Sequence, residues 1–165
     1  MKIIIAQIIG IIAIILNILS LQYKKKKKVM NMQLIANALF SLQYLVLGAF
    51  SGAYMNVITV IRCLLYKKYN SSRKKVPTYL VIFVITLCLI AGYVGYNGLF
   101  SLIPTIITII YCIAATSKNV KKYKLIYGLC AIVWLYYNFK VKALVNMIGN
   151  IFEIASAIIS LKKKK

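Results

Sequence analysis

The chain has 165 residues, of which 62% are hydrophobic, and its mean hydropathy is +0.86. This apolar share exceeds that of soluble domains, and long apolar runs recur along the whole sequence. The 22 Lys and Arg and a single acidic residue give a formal charge of +21, but the charges are grouped between the apolar runs. A nucleic-acid-binding protein would need a basic face on a soluble fold, so we expect no nucleic acid partner and predict an integral membrane protein in contact with the lipid bilayer.

Seven apolar segments are long enough to cross a bilayer, whose hydrocarbon core needs about 20 helical residues and fewer where it thins locally. In chain order, we predict helices over residues 3–22, 30–50, 51–66, 76–96, 99–116, 122–139 and 143–161. The third is the shortest. The predicted fold class is therefore all-α integral membrane, with residues 1–165 forming a single membrane domain.

Basic residues alternate with these segments. Eighteen Lys and Arg follow segments one, three, five and seven, whereas the opposite loops and the N-terminus hold only Lys2, Lys140 and Lys142. This alternation requires all seven segments to cross the membrane. The positive-inside rule then puts the N-terminus outside and the C-terminus in the cytoplasm.

An internal repeat relates the two ends of the chain at an offset of 90 residues. Residues 53–61 and 143–151 both read A-x-x-N-x-I-x-x-I, and the same offset aligns Tyr44 with Trp134. We therefore predict two parallel three-helix repeats joined by a linker helix, a 3+1+3 arrangement of the kind that transporters use. The first repeat spans residues 3–68, the linker helix 76–96 and the second repeat 99–162.

Several stretches of this sequence resemble the YgjV-like bacterial inner-membrane proteins. They are residues 31–53 (NMQLIANALFSLQYLVLGAFSGA), Asn56, Ile61-Arg62 and residues 134–138 (WLYYN). The resemblance covers nearly the whole chain and implies a multi-pass protein of the bacterial inner membrane.

The 3+1+3 layout is more distantly similar to that of the SWEET and PQ-loop transporters. The Pro-Gln pair that names the PQ-loop group is absent, since segment one has no proline and Pro104 is followed by Thr105. The similarity therefore implies a fold without implying a sugar specificity.

The chain lacks the residues of most catalytic centres. With no His, no Asp and one Glu, it cannot assemble a Ser-His-Asp triad, a carboxylate pair or a conventional zinc or two-metal centre. We expect no enzymatic activity, no cofactor and no metal. The four cysteines lie in apolar segments without CxxC spacing, and we interpret them as small buried apolar side chains: Cys63, Cys88, Cys112 and Cys130.

Five residues are candidates for a substrate path between the repeats: Tyr44, Asn56, Trp134, Asn146 and Asn150. Amides offer paired polar contacts to a solute, and the SWEET resemblance implies aromatic residues beside the cavity. The alternatives stay open at this point. They are hydrogen bonding between helices for the asparagines, and packing or interface anchoring for the aromatic residues.

Two ionisable residues lie inside apolar segments. They are Arg62 and Glu153, the only acid in the chain, and the repeat offset places them at adjacent levels of equivalent helices. A lone charge near the bilayer centre costs at least about 2.5 to 3.5 kcal/mol. We therefore expect an intramembrane ion pair, and the alternative is that Glu153 is a proton site during transport.

Two functions fit these patterns. The first is a small-solute transporter or permease that works by alternating access between the repeats. The second is a non-transporting membrane protein that binds lipid or stabilises a membrane complex through its basic loops. A polar cavity at the centre of the bundle would favour transport, and a dry packed centre would favour the alternative. The sequence leaves open both a homo-oligomer and the identity of a small polar solute.

Overall fold

The computed structural model describes residues 2–71, 75–141 and 143–162. These ranges contain seven α-helices and no strand, which confirms the predicted all-α class. The helices are α1 (Lys2–Gln22), α2 (Lys26–Val46), α3 (Phe50–Ser71), α4 (Thr78–Val94), α5 (Leu102–Ala114), α6 (Val120–Lys140) and α7 (Leu144–Lys162). A 3-10 turn over Leu99–Ser101 precedes α5.

The third helix differs most from its predicted length. It is not the shortest but has 22 residues, because lysines and a tyrosine continue it beyond the apolar run. The shortest helix is α5, with 13 residues, since the predicted start of its segment forms the 3-10 turn. Pro104 lies in the first turn of α5, where a missing backbone N–H breaks no helical hydrogen bond.

The outside of the bundle is apolar. Large side chains such as Ile8, Leu89 and Ile151 are more than half exposed, whereas seven asparagines and glutamines of the helices and both intramembrane charges are buried inside. By length and composition alone, α1 and α2 qualify as membrane spans, and α4, residues 99–114 and residues 144–159 are shorter apolar helices. Apolar residues outside and polar residues inside are the distribution that a lipid environment selects.

Helix packing places α2 between α1 and α3 and places α7 against α6 and α1. Contacts between α3 and α5 and between α1 and α7 join the first three helices to the last three, and α4 packs against α3 and α5. The centre of the bundle is therefore enclosed by the three helices before α4 and the three after it.

One lysine of the first basic run has a structural role. Lys26 is buried, and its ammonium group donates hydrogen bonds to the carbonyl oxygens of Ala115, at 2.6 Å, and Ser117. These carbonyls follow the end of α5, where a cation is favourable.

Several residues of the predicted charge alternation lie outside the described residues: Arg73, Lys74, Lys142 and residues 163–165. The orientation of the termini stays a prediction.

Gly128 allows the close approach of α6 and α7. A Cβ atom at this position would lie 3.0 Å from the Cβ of Ala157, which is fixed to the α7 backbone and cannot rotate away. We expect Gly128→Leu to push the helices apart and lower the free energy of unfolding by about 1 to 3 kcal/mol, measured as a lower melting temperature in detergent. Ile132→Leu, on the lipid-facing side of α6, is the matched control. A Gly128→Leu protein with wild-type stability would contradict this packing.

Candidate functional site

A polar cavity lies at the centre of the bundle. It provides about 50 Å³ for the centres of water-sized molecules, which is room for roughly three or four waters. Six helices line it, and among the described residues α4 contributes none. Besides Tyr44, Tyr111 and Tyr127, the polar lining residues are Asn17, Gln33, Asn37, Asn56, Thr59, Arg62, Thr108, Asn138, Asn146, Asn150 and Glu153.

The structure brings together all seven site residues predicted from the sequence. Each of them lines the central cavity, with Trp134 half-buried and the other six buried: Tyr44, Asn56, Arg62, Asn146, Asn150 and Glu153. They come from α2, α3, α6 and α7. Positions that are far apart in the chain thus share one polar centre.

A directed chain of hydrogen bonds crosses the cavity wall and ends at Glu153. The Tyr44 hydroxyl donates to Asn138 Oδ1 at 2.7 Å, and Asn138 Nδ2 donates to Asn150 Oδ1 at 2.8 Å. Asn150 Nδ2 donates to Glu153 Oε2 at 3.3 Å, and Asn17 Nδ2 donates to Glu153 Oε1 at 2.7 Å. An ionised carboxylate accepts without donating, and the only acid of the chain stands where amide donors from α1 and α7 converge.

Arg62 points into the bundle and does not extend towards the membrane surface. Its side chain is 2% exposed, and its Cζ lies 5.9 Å from the ring centroid of Tyr111. Nη2 approaches Cys63 Sγ at 3.9 Å, a weak contact, while Nε and Nη1 have no hydrogen-bond partner among the described residues. The guanidinium is thus enclosed with an aromatic face and a thiol but without a counter-charge.

The predicted ion pair between Arg62 and Glu153 is not formed. The carboxylate meets amide groups instead, and no acidic group contacts Arg62 in the described part of the chain. Helix packing gives the reason, because α7 packs against α1 and α6 whereas α3 packs against α2 and α5. The two charges are linked only indirectly. Arg62 lies over the ring of Tyr111, whose centroid is 5.1 Å from that of Tyr127, and Asn17 binds both Tyr127 and Glu153.

Asn56 and Asn146, which the 90-residue offset aligns in the sequence, have different partners. Asn56 Nδ2 donates to the carbonyl oxygen of Gly52 within its own helix at 2.7 Å. Asn146 lies beside Tyr44, yet neither of its amide atoms has a hydrogen-bond partner of normal geometry in the described ranges. Asn150, by contrast, bonds to Asn138 on the neighbouring helix, as the helix-bonding alternative predicts.

A family model described as "Imp-YgjV: Bacterial inner membrane protein" matches residues 4–164. The chain belongs to this family. The resemblance inferred from the sequence is thereby confirmed, together with the assignment to the bacterial inner membrane. No curated protein and no solved structure matches the chain significantly, so the similarity to SWEET and PQ-loop transporters stays a prediction.

In this Imp-YgjV protein, the sequence reasoning missed several cavity residues. Asn17 interrupts the otherwise apolar core of α1, which is a recognisable signal for a polar contact inside the membrane. Gln33 and Asn37 lie eleven and seven residues before the predicted Tyr44, and this spacing places them on the same face of α2 as Tyr44. Asn138 lies at the centre of the hydrogen-bond chain. In the sequence it stands among aromatic residues, so no pattern there marks it as a cavity residue.

The described residues contain no cluster of three or more His, Cys, Asp or Glu that could hold a metal ion. All four cysteines are buried and free, as predicted for small apolar side chains. The chemistry available in the cavity is therefore that of amides, hydroxyls, one guanidinium and one carboxylate. These groups can bind and orient a polar solute.

Proposed function

We propose that this protein is a small-solute permease of the bacterial inner membrane that works by alternating access between two repeats. The observation that carries the proposal is the polar cavity, which α1 to α3 line from one side of the sequence and α5 to α7 from the other. Polar groups inside a membrane are costly to bury and mark solute and ion pathways. A protein with only a scaffolding role would be expected to have a dry packed centre.

Contacts between equivalent residues support the proposed repeat. The rings of Tyr44 and Trp134 stack with their centroids 6.2 Å apart, and Tyr123 donates its hydroxyl to Gln33 Oε1 at 2.5 Å. Both pairs are separated by the 90-residue offset. In a two-fold arrangement, equivalent residues meet each other only near the axis, so these pairs fit an axis that passes through the cavity.

The contacts between helices are also compatible with a two-fold axis that relates the first three helices to the last three. The contact of α1 with α7 has its counterpart in the contact of α5 with α3, and that of α2 with α3 has its counterpart in that of α6 with α7. Under the proposal, α4 is the linker that lets both halves enter the membrane in the same orientation.

The basic loops supply weaker support for the lipid-binding alternative. Lys26 and Lys124 belong to the basic runs but are buried, so they are not available to lipid head groups.

Within the permease proposal, Glu153 is the proposed proton site, because it is the only carboxylate side chain and it faces the cavity. Its coupling role is tested together with the Glu153 variants in the Discussion.

Accessibility of the cavity from both sides of the membrane tests the permease proposal without knowledge of the solute. In a protein whose four native cysteines are replaced by serine, Asn56→Cys places a single thiol in the cavity. We expect a membrane-impermeant maleimide to label it in separate experiments from either face of oriented vesicles. Val57→Cys is the matched control, since its neighbouring position faces lipid, and it should react from neither side. An Asn56→Cys thiol that reacts from one face only, or not at all, would contradict alternating access.

A further inference from the structure

The cavity wall around Arg62 offers hydrogen-bond donors that lack partners. Among the described residues, Arg62 Nε and Nη1 have no partner, and neither has the Nε2 of Gln33, whose oxygen already accepts from Tyr123. Both side chains are at most 2% exposed, and both line the cavity. Because a guanidinium stays charged and presents its N–H groups as a fork, this wall suits a carboxylate or a similar anionic group.

The wall around Glu153 offers acceptors instead. Its two carboxylate oxygens accept one hydrogen bond each, from Asn17 and Asn150, and a carboxylate has room for about four. Asn17 donates to the carboxylate through its nitrogen, and its Oδ1 has no hydrogen-bond partner in the described part of the chain. No cationic group contacts Glu153 in the ranges that the structure describes. This wall suits an ammonium group, which brings donors and a positive charge.

We infer that the cavity binds a small zwitterion, with its anionic group on Arg62 and its ammonium group on Glu153. The inference rests on the proposed function and names the class of solute. Arg62 and Glu153 face one cavity but do not contact each other, and neither meets an opposite charge among the residues that the structure describes. A zwitterion compensates both charges at once. A neutral solute compensates neither, and a singly charged solute leaves the other charge unpaired.

A series of small solutes tests this inference on the unmodified protein. Thermal stabilisation of the purified protein in detergent would be titrated with L-alanine, β-alanine and 4-aminobutyrate, three zwitterions of increasing charge separation. The controls are butyrate, butylamine and lactamide, which are anionic, cationic and neutral solutes of similar size. We expect at least one zwitterion to bind about ten-fold or more tightly than every control, because it makes charge-assisted contacts with both Arg62 and Glu153.

The outcomes separate this inference from the permease proposal. If lactamide binds as tightly as the best zwitterion, or if butyrate does, the zwitterion assignment is overturned and a solute site remains. If no solute of the series stabilises the protein and the Asn56→Cys thiol is also inaccessible, both proposals fail. In the supporting case, Arg62→Gln and Glu153→Gln should each reduce the preference for the zwitterion over lactamide about ten-fold. Leu64→Met, at a lipid-facing position two residues along α3 from Arg62, should leave it unchanged.

Discussion

Replacing Glu153 with leucine is expected to lower the free energy of unfolding by about 3 kcal/mol or more. The carboxylate accepts hydrogen bonds from Asn17 on α1 and from Asn150 on its own helix, and the chain that starts at Tyr44 ends on it. Bonds to a charged group contribute about 1.5 to 3 kcal/mol each, and leucine would leave both amide donors buried without acceptors. Thermal and denaturant-induced unfolding in detergent would measure the loss.

Two further variants make the Glu153 prediction specific. Phe152→Leu, at the adjacent lipid-facing position, should leave the stability unchanged. Glu153→Gln should have an intermediate effect, since its oxygen can accept one bond while its NH₂ group faces the Asn donors. Wild-type stability of Glu153→Leu would show that the hydrogen-bond chain does not stabilise the bundle.

The proton site at Glu153 has a separate test. If solute exchange by Glu153→Gln keeps the pH dependence of the wild type, the proposal of a proton site at Glu153 is wrong.

Replacing Arg62 with methionine is expected to have the opposite sign and to raise the free energy of unfolding by about 2 kcal/mol. The guanidinium is 2% exposed, has two unpartnered nitrogens and meets no counter-charge in the described structure. A charge within the membrane interior costs about 2.5 to 3.5 kcal/mol on insertion scales, and the contact with the Tyr111 ring offsets part of this. Methionine has a similar length and no charge, so it removes the cost while filling the same space.

A charge-conserving variant serves as the control for Arg62. Arg62→Lys keeps the buried cation and should not gain stability. If Arg62→Met instead destabilises the protein as much as Glu153→Leu does, then Arg62 has a stabilising partner and is part of the scaffold. If Arg62→Met raises the stability as expected, the native arginine lowers it, and its presence is better explained by function than by folding.

The sequence predicts the helices well because a membrane restricts the possibilities. Each apolar run long enough to cross lipid must satisfy its backbone hydrogen bonds internally, so all seven runs become helices. Helix ends are less predictable. The apolar run ends where the hydrocarbon core of the membrane ends, whereas the helix can continue beyond it. The extension of α3 to Ser71 shows this, as Lys67 and Lys68 are good helix formers beyond the apolar run.

Polarity inside apolar segments predicts which residues face the cavity, but it does not predict which of them meet. Asn56, Asn146 and Glu153 could be assigned to an interior because lipid excludes them. The missing ion pair was not predictable from the 90-residue sequence offset, because aligning α3 with α7 does not fix which helices each of them contacts. Asn17 reaches Glu153 because α1 packs against α7, a contact between the two ends of the chain.

Exchange of solutes across a membrane tests most directly whether the polar cavity is a transport path. Proteoliposomes would be loaded with an equimolar mixture of amino acids, sugars and polyols, and the retained solutes would be quantified by mass spectrometry over time. The account predicts selective loss of at least one solute, abolished by Asn146→Trp, which fills the cavity, and preserved in Phe152→Leu. Equal retention of every solute by the wild-type protein, by Asn146→Trp and by protein-free liposomes would contradict it.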